Sequence, residues 1–298
     1  MTPASPRRYG SSHNERSPDD HHLPSRVWFI TGASRGLGRA FTEAALDRGD
    51  RVVAGSRTIT TEATDRLLPV QLDVTRREDV FRAVEQAVDR FGHLDVVVNN
   101  AGTLSMGMVD EFTEDEASAA MEANFFGALW VSQAVLPVMR RRRSGRILQI
   151  SSIAALGGFP MTGLYSASKF ALEGMSEALA REAASFGVKV SIVQPGGYWT
   201  DLFTAPAMAS PVDDYAPLRQ EMERQWSEGS VDSDPALAAE ALLKLADSED
   251  PPLRLLLGSM VYDLAHDLTR QRLDGWADWE EVSRAAEKAI PMPVTPGT

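Results

Sequence analysis

The chain contains no cysteine. Disulfides, thiolate metal sites and cysteine nucleophiles are thereby excluded. Histidine is scarce, with five in 298 residues. None forms a ligand-spaced cluster, so no metal site is expected; His21-His22 reads as a solvated pair in a polar stretch. No apolar run approaches the roughly 18 residues that span a bilayer. Arg7-Arg8 is the kernel of a twin-arginine signal, but no apolar segment follows within Tyr9 to Ser25, and export is rejected. Positive charge is also short. A formal net charge of −12 argues against nucleic acid or an anionic membrane as the main partner. A cytoplasmic protein is the expected setting.

What remains is ample for a core, since 43% of the residues are hydrophobic. Met1 to Ser25 is rich in Ser, Pro, Arg, Asp and His and is expected to be a disordered tail. From residue 26 to 298, with no repeat or linker, one domain is expected. Short apolar runs alternate there with helical patterns. Strands are expected at Val27 to Ile30, Arg51 to Ala54, Val70 to Leu72, Leu94 to Val98, Arg146 to Ile150, Val188 to Val193 and Leu253 to Leu257. Helical patterns cover Gly36 to Arg48, about Glu114 to Arg143 and Leu164 to Ser185. Another runs to about Arg90 and begins at an expected capping box of Thr75 and Glu78. Alternation of this kind implies an α/β fold, a parallel sheet of about seven strands joined by right-handed crossovers. Arg140 to Arg143 resembles a nucleic-acid patch but reads better as cations at a helix C-terminus, where the macrodipole favours them.

Six segments carry chemistry. Tyr165 and Lys169 stand four residues apart, on one face of a helix. An ammonium beside a phenol favours the phenolate and makes a tyrosine usable as an acid or base near neutral pH. Alone, the pair fits an ordinary solvated helix face. The first strand runs into Thr31-Gly32-Ala33-Ser34-Arg35-Gly36-Leu37-Gly38, whose glycines let backbone approach a pyrophosphate at a helix N-terminus. The second strand ends in Ala54-Gly55-Ser56-Arg57-Thr58, without the acid that usually binds ribose hydroxyls. Arg57, helped by Arg35, can instead pair with a 2′-phosphate, which favours NADP(H) over NAD(H). Asn99-Asn100-Ala101-Gly102, Ser151-Ser152 and Pro195-Gly196 follow later strands, at the sheet edge where open α/β sheets bind ligands.

With these residues the chain resembles the short-chain dehydrogenase/reductase family, strongly over Arg26 to Leu202 and more loosely to Ser259. The matching elements are Thr31 to Gly38, Asp73, Asn99 to Gly102, Asn124, Ser152, Tyr165, Lys169 and Pro195-Gly196 with Thr200. Ser152 precedes Tyr165 by thirteen residues, the family's usual interval. The resemblance implies a doubly wound Rossmann-type fold with helices on both faces. It implies that Tyr165 exchanges a proton with the substrate oxygen, that Ser152 hydrogen-bonds that oxygen, and that Lys169 lowers the Tyr165 pKa and binds the nicotinamide ribose. Asn124 would hold a water linking Lys169 to solvent. Asp73 and Val74 would face the adenine, Asn100, Ala101 and Gly102 the adenosine ribose, and Pro195, Gly196 and Thr200 the nicotinamide. The implied substrate is a small-molecule carbonyl or alcohol, and the implied assembly a homodimer or homotetramer through the helices of Asn124 and Tyr165.

One departure stands out. Tyr198 and Trp199 lie two and three residues after Gly196, where the family often has an aliphatic residue. They either narrow the pocket or stack on a ring substrate, or else pack beneath the lid that the family carries here, at about 202–230. Ile153, Tyr198, Trp199 and Leu202 are the candidate substrate contacts. Apolar residues among charges in that lid suggest a moderately large apolar substrate. Two alternatives compete. A non-catalytic cofactor sensor on the same fold would usually lack one of Asn124, Ser152, Tyr165 and Lys169. A sugar-nucleotide epimerase or dehydratase usually has another glycine spacing and a larger C-terminal region. An amphipathic pattern from Val261 to Ser283, with Trp276 and Trp279, is expected to pack on the core.

Overall fold

The computed structural model describes residues 25–200, 202, 206–229 and 233–287. The N-terminal tail, Phe203 and the residues at 230–232 lie outside the described residues. Among the described residues no helix is long and apolar enough to cross a membrane.

Seven strands form one parallel sheet: β1 (Val27–Thr31), β2 (Arg51–Ser56), β3 (Leu67–Gln71), β4 (Val96–Asn99), β6 (Gly145–Ile150), β7 (Val188–Pro195) and β9 (Arg254–Leu257). Their order is β3-β2-β1-β4-β6-β7-β9. A second sheet, foreshadowed by nothing in the hydrophobic pattern, pairs β5 (Ser105–Met106) with β8 (Ala207–Met208). The helices are α1 (Gly36–Asp47), α2 (Arg77–Phe91), α3 (Glu114–Met121), α4 (Gly127–Arg142), α5 (Gly163–Ala184), α6 (Ala216–Gly229), α7 (Pro235–Asp247), α8 (Ser259–Asp278) and α9 (Glu280–Ala285).

Strand period two divides the core between the sheet's faces. Val27 and Phe29 of β1 join Val80, Val84, Val131, Val135 and Leu179 of α2, α4 and α5. Trp28 and Ile30 join Phe41 and Ala45 of α1 and Leu242 and Leu245 of α7. Both faces are therefore covered, which is why β1 and β4 read as unbroken apolar runs. The strand order reverses between β1 and β4, and the carboxyl ends of these strands form the crevice characteristic of a doubly wound sheet.

Three expectations need correction. The capping box at Thr75 and Glu78 is absent. The Asp73 carboxylate instead accepts from the Thr75 hydroxyl (2.8 Å) and amide (3.1 Å), and α2 begins at Arg77 without a side-chain cap. The same signature forms a true box one helix later, where Thr113 and Glu116 cap α3 reciprocally. The expected single helix from Glu114 to Arg143 is interrupted by a π turn at Glu122–Phe126. Finally, α8 does not pack on the core as expected. Only its Val261 is buried, while Trp276 is 67% exposed and Trp279, just beyond it, 65%. By the time the chain leaves β9, the other helices have covered both faces of the sheet. The helix touches the body where Val261 packs on Gly196, where Leu268 meets Gly157 and where Arg272 bonds the Leu156 carbonyl. The Arg140–Arg143 run does end a helix. Arg143 donates to the Ser185 carbonyl (3.0 Å), and Arg142 pairs with Asp95.

Gly38 shows how tightly α1 sits on β1. A Cβ there would stand 2.2 Å from the Gly32 carbonyl oxygen. Gly38→Ala should lower stability by about 1–3 kcal/mol, the usual penalty of overpacking. Urea denaturation measures it, and an unchanged midpoint would show that the loop yields freely.

Candidate active site

The crevice at the strand ends is a cavity of about 390 Å³. Its walls include Gly32, Ser34, Arg35, Gly36 and Leu37 from the β1–α1 turn, Arg57 after β2, Asp73 and Val74 after β3, and Asn100, Ala101 and Gly102 after β4. Ser152, Tyr165, Lys169, Pro195, Gly196, Tyr198, Thr200 and Leu202 complete the sequence candidates that line it. Four candidates do not line it. Gly38 is packed behind the loop, Asn124 is buried behind Gly102, Ile153 lies in a short 3₁₀ turn, and Trp199 is 75% exposed. Tyr198 resolves both ways. It lines the cavity, and it is buried among the core residues on the α1 and α7 side.

Local chemistry shapes each wall. Gly32 and Gly36 hold φ of 66° and 53°, a left-handed conformation that favours glycine. The first turn of α1 carries no acidic residue and its Arg35 cap makes no side-chain hydrogen bond, so its amides face the cavity uncapped by any side chain. The Thr31 hydroxyl accepts from the amides of Asn100 and Ala101, both at 3.0 Å, and locks the β1 and β4 ends together. Arg35 and Arg57 are exposed at the rim, and neither has a carboxylate partner among the described residues.

The π turn swings Asn124 inward, and π turns recur at functional sites. Its amide nitrogen donates to the Thr103 carbonyl and the Ser168 hydroxyl, both at 2.9 Å, and its oxygen accepts from the Thr103 amide at 2.8 Å. A Cβ at Gly102 would stand 2.8 Å from that oxygen and 3.6 Å from Lys169 Nζ, so this backbone passes between the two side chains.

Tyr165 and Lys169 are buried together on α5, with Nζ 5.7 Å from the phenol ring centre. Nζ donates to the Ile150 carbonyl at 2.9 Å. Their electrostatics differ from the sequence expectation. Burial pushes the Tyr165 phenol above its ordinary value, opposed by a hydrogen bond from Ser152. The same burial pulls Lys169 down to about 8, opposed by the negative charge of Glu173. The lysine is thus itself desolvated, and the expected depression of the phenol by its ammonium does not appear.

Two features escaped sequence reasoning. Glu173, buried and four residues after Lys169, accepts hydrogen bonds from Ser151 and Gln194; its helical spacing was the available signal. Glu111, also buried, accepts from the amides of Met108 (2.7 Å) and Val212 (2.8 Å) and from Arg219 (2.5 Å). It ties the segment containing α6 to the body, and its pKa is lowered chiefly by the Val212 bond. Beside that tie lies an apolar groove of about 480 Å³ walled by Met108, Val109, Phe159, Met161, Tyr215 and Leu218. No cluster suited to a metal ion occurs among the described residues.

Comparison with known proteins agrees with this geometry. The profile of the short chain dehydrogenase family matches residues 26–208. A 3-ketodihydrosphingosine reductase of Bacteroides thetaiotaomicron is 37% identical over 246 residues, covering 80% of this chain and 90% of its own. Among solved structures, a short-chain dehydrogenase from Streptomyces avermitilis is 38% identical with a TM-score of 0.81, covering 89% of this chain and 99% of that one. A short chain dehydrogenase from Burkholderia cenocepacia in complex with NADP is 30% identical with a TM-score of 0.69, covering 85% and 97%.

Proposed function

The chain belongs to the short-chain dehydrogenase family, and from that premise we propose that it is an NADP(H)-dependent oxidoreductase acting on a carbonyl or secondary alcohol, with Tyr165 as the acid and base. The observation that carries the reading is the meeting of Ser152, Tyr165 and Lys169 in one cavity with the glycine turn and the arginines Arg35 and Arg57. These walls suit a dinucleotide. The bare backbone at Gly32 and Gly36 and the uncapped start of α1 fit a pyrophosphate, and the Arg57 and Arg35 guanidiniums fit a 2′-phosphate. The NADP bound by the Burkholderia cenocepacia relative supports that choice.

When bound, the nicotinamide supplies or takes the hydride. The chain's own residues handle the oxygen. In reduction Ser152 donates a hydrogen bond to the carbonyl oxygen as negative charge grows there, and the Tyr165 phenol delivers the proton. A phenol held protonated by burial suits the donor direction. In oxidation the proton moves the other way, from the alcohol to the Tyr165 phenolate oxygen, with Ser152 hydrogen-bonding the same oxygen of the substrate. Asn124 acts from behind by fixing the Thr103 backbone. The intact set of Asn124, Ser152, Tyr165 and Lys169 favours an enzyme over a cofactor sensor.

Residues 206–229 act as a substrate lid in this reading, and the apolar groove beside Tyr215 supports a moderately large apolar substrate. The Bacteroides thetaiotaomicron relative is named for reduction of a 3-keto compound, which supports the ketone class. A homodimer or homotetramer would bury the exposed Phe126 and Phe170 on the two long helical segments. Light scattering at micromolar concentration should report a multiple of the 32.5 kDa chain, and a monomeric mass would remove this part.

Turnover of NADPH and NADH with a panel of apolar ketones and alcohols tests the reaction. Tyr165→Phe should abolish turnover while cofactor still binds, and retained turnover would refute the proton role. Arg57→Ala should weaken NADPH binding by about tenfold while leaving NADH binding nearly unchanged, as expected for loss of one charge-assisted contact. Equal effects on the two cofactors would remove Arg57 from the argument.

A further inference from the structure

Helix α5 carries Tyr165, Lys169 and Glu173 at successive four-residue steps, so all three share one buried face. The third is a carboxylate for which the proton transfer above has no use. Burying a charge costs heavily unless it is paired and hydrogen-bonded. Glu173 is served on every side. One oxygen accepts from the Ser151 hydroxyl at 2.6 Å and from the Gln194 amide at 2.7 Å. The other accepts from Arg254 Nε on β9 at 3.1 Å. Its three partners stand on three different strand ends: Ser151 after β6, Gln194 in β7 and Arg254 in β9.

Two of these partners are immediate neighbours of the reaction site. Ser151 precedes Ser152, and Gln194 precedes Pro195-Gly196. A separate link reaches the lysine through the backbone, because Lys169 Nζ is anchored on the carbonyl of Ile150, the residue before Ser151. Resting on the function proposed above, we propose that Glu173 is a positioning residue: its carboxylate locks the Ser152 and Pro195 strand ends to the helix turn that bears Lys169, and sets the charge behind that lysine.

The charges around the pair are few. Glu173 faces Lys169 and Glu177 on its own helix and Arg254 on β9, while Tyr165 faces Lys169 from the turn before. Glu177 takes the far end of Arg254. The carboxylate supports the lysine's proton against burial. Removing the charge therefore lowers the pH at which Lys169 deprotonates.

The chain has only four lysines, Lys169, Lys189, Lys244 and Lys288. Carbon-13 NMR of lysine-labelled, cofactor-free protein can therefore follow Lys169 by itself. Its midpoint, near 8 in the parent, should fall by on the order of one pH unit in Glu173→Gln and stay in Glu173→Asp, which keeps the charge. Turnover of Glu173→Gln should fall by about tenfold to a hundredfold, as for small misplacements of reacting groups. Ser151→Ala is the milder variant and keeps the carboxylate. Its turnover should fall several-fold with the Lys169 midpoint unmoved. An unmoved Lys169 midpoint in Glu173→Gln, or full turnover in Ser151→Ala, overturns the assignment. Retained turnover in Tyr165→Phe would instead overturn the reaction itself and leave the lysine titration standing.

Discussion

A parallel sheet covered by helices on both faces can offer polar chemistry to a ligand only at the ends of its strands. Here every central strand is buried, and the helices that cover it also begin or end at its edges. Backbone groups left over where strands stop must then be satisfied by loops or left to face a cavity. At the β1 and β4 ends the Thr31 hydroxyl satisfies two of them and draws the two loops together. The cavity, its glycines and its arginines all follow from that reversal of strand order.

Within the cavity, desolvation governs the titrating groups more than their mutual attraction does. Tyr165 and Lys169 stand close enough to influence each other, yet burial moves each toward its neutral form. A second buried charge, Glu173, lies one turn further along the helix and holds the lysine's proton against that burial. That carboxylate is in turn tolerable because Arg254, Ser151 and Gln194 surround it. The chain of dependence runs from β9 at the sheet edge through α5 to the phenol.

Much of the fold was legible in the sequence. Seven strands were visible because buried parallel strands are continuous apolar runs, and the helices between them because one stripe must face the sheet. The candidate residues after each strand were legible because loops at strand ends carry distinctive Gly, Asn, Ser and Pro. The misses have local causes. The Thr75 box does not form because the Asp73 carboxylate engages the Thr75 hydroxyl, whereas Thr113, with the same signature, does cap its helix. The β5–β8 pair is only two residues long in each strand, too short for any period to register. The amphipathic pattern of α8 does not lead to core packing because periodicity reveals a face and not whether a surface remains for it to cover.

The sequence by itself determined the parallel α/β architecture, the order of its strands and helices, and the residue types placed at the strand ends. These are local properties, set by period, glycine content and spacing along the chain. Only the tertiary structure decided which of those residues share a cavity. It left Arg35 and Arg57 without carboxylate partners among the described residues, turned Trp199 outward, placed Asn124 behind Gly102, and drove the phenol and the lysine toward neutrality. The reason is that burial, charge pairing and contact depend on residues far apart in the chain. Glu111 meets Val212 and Glu173 meets Arg254 only after the sheet has formed.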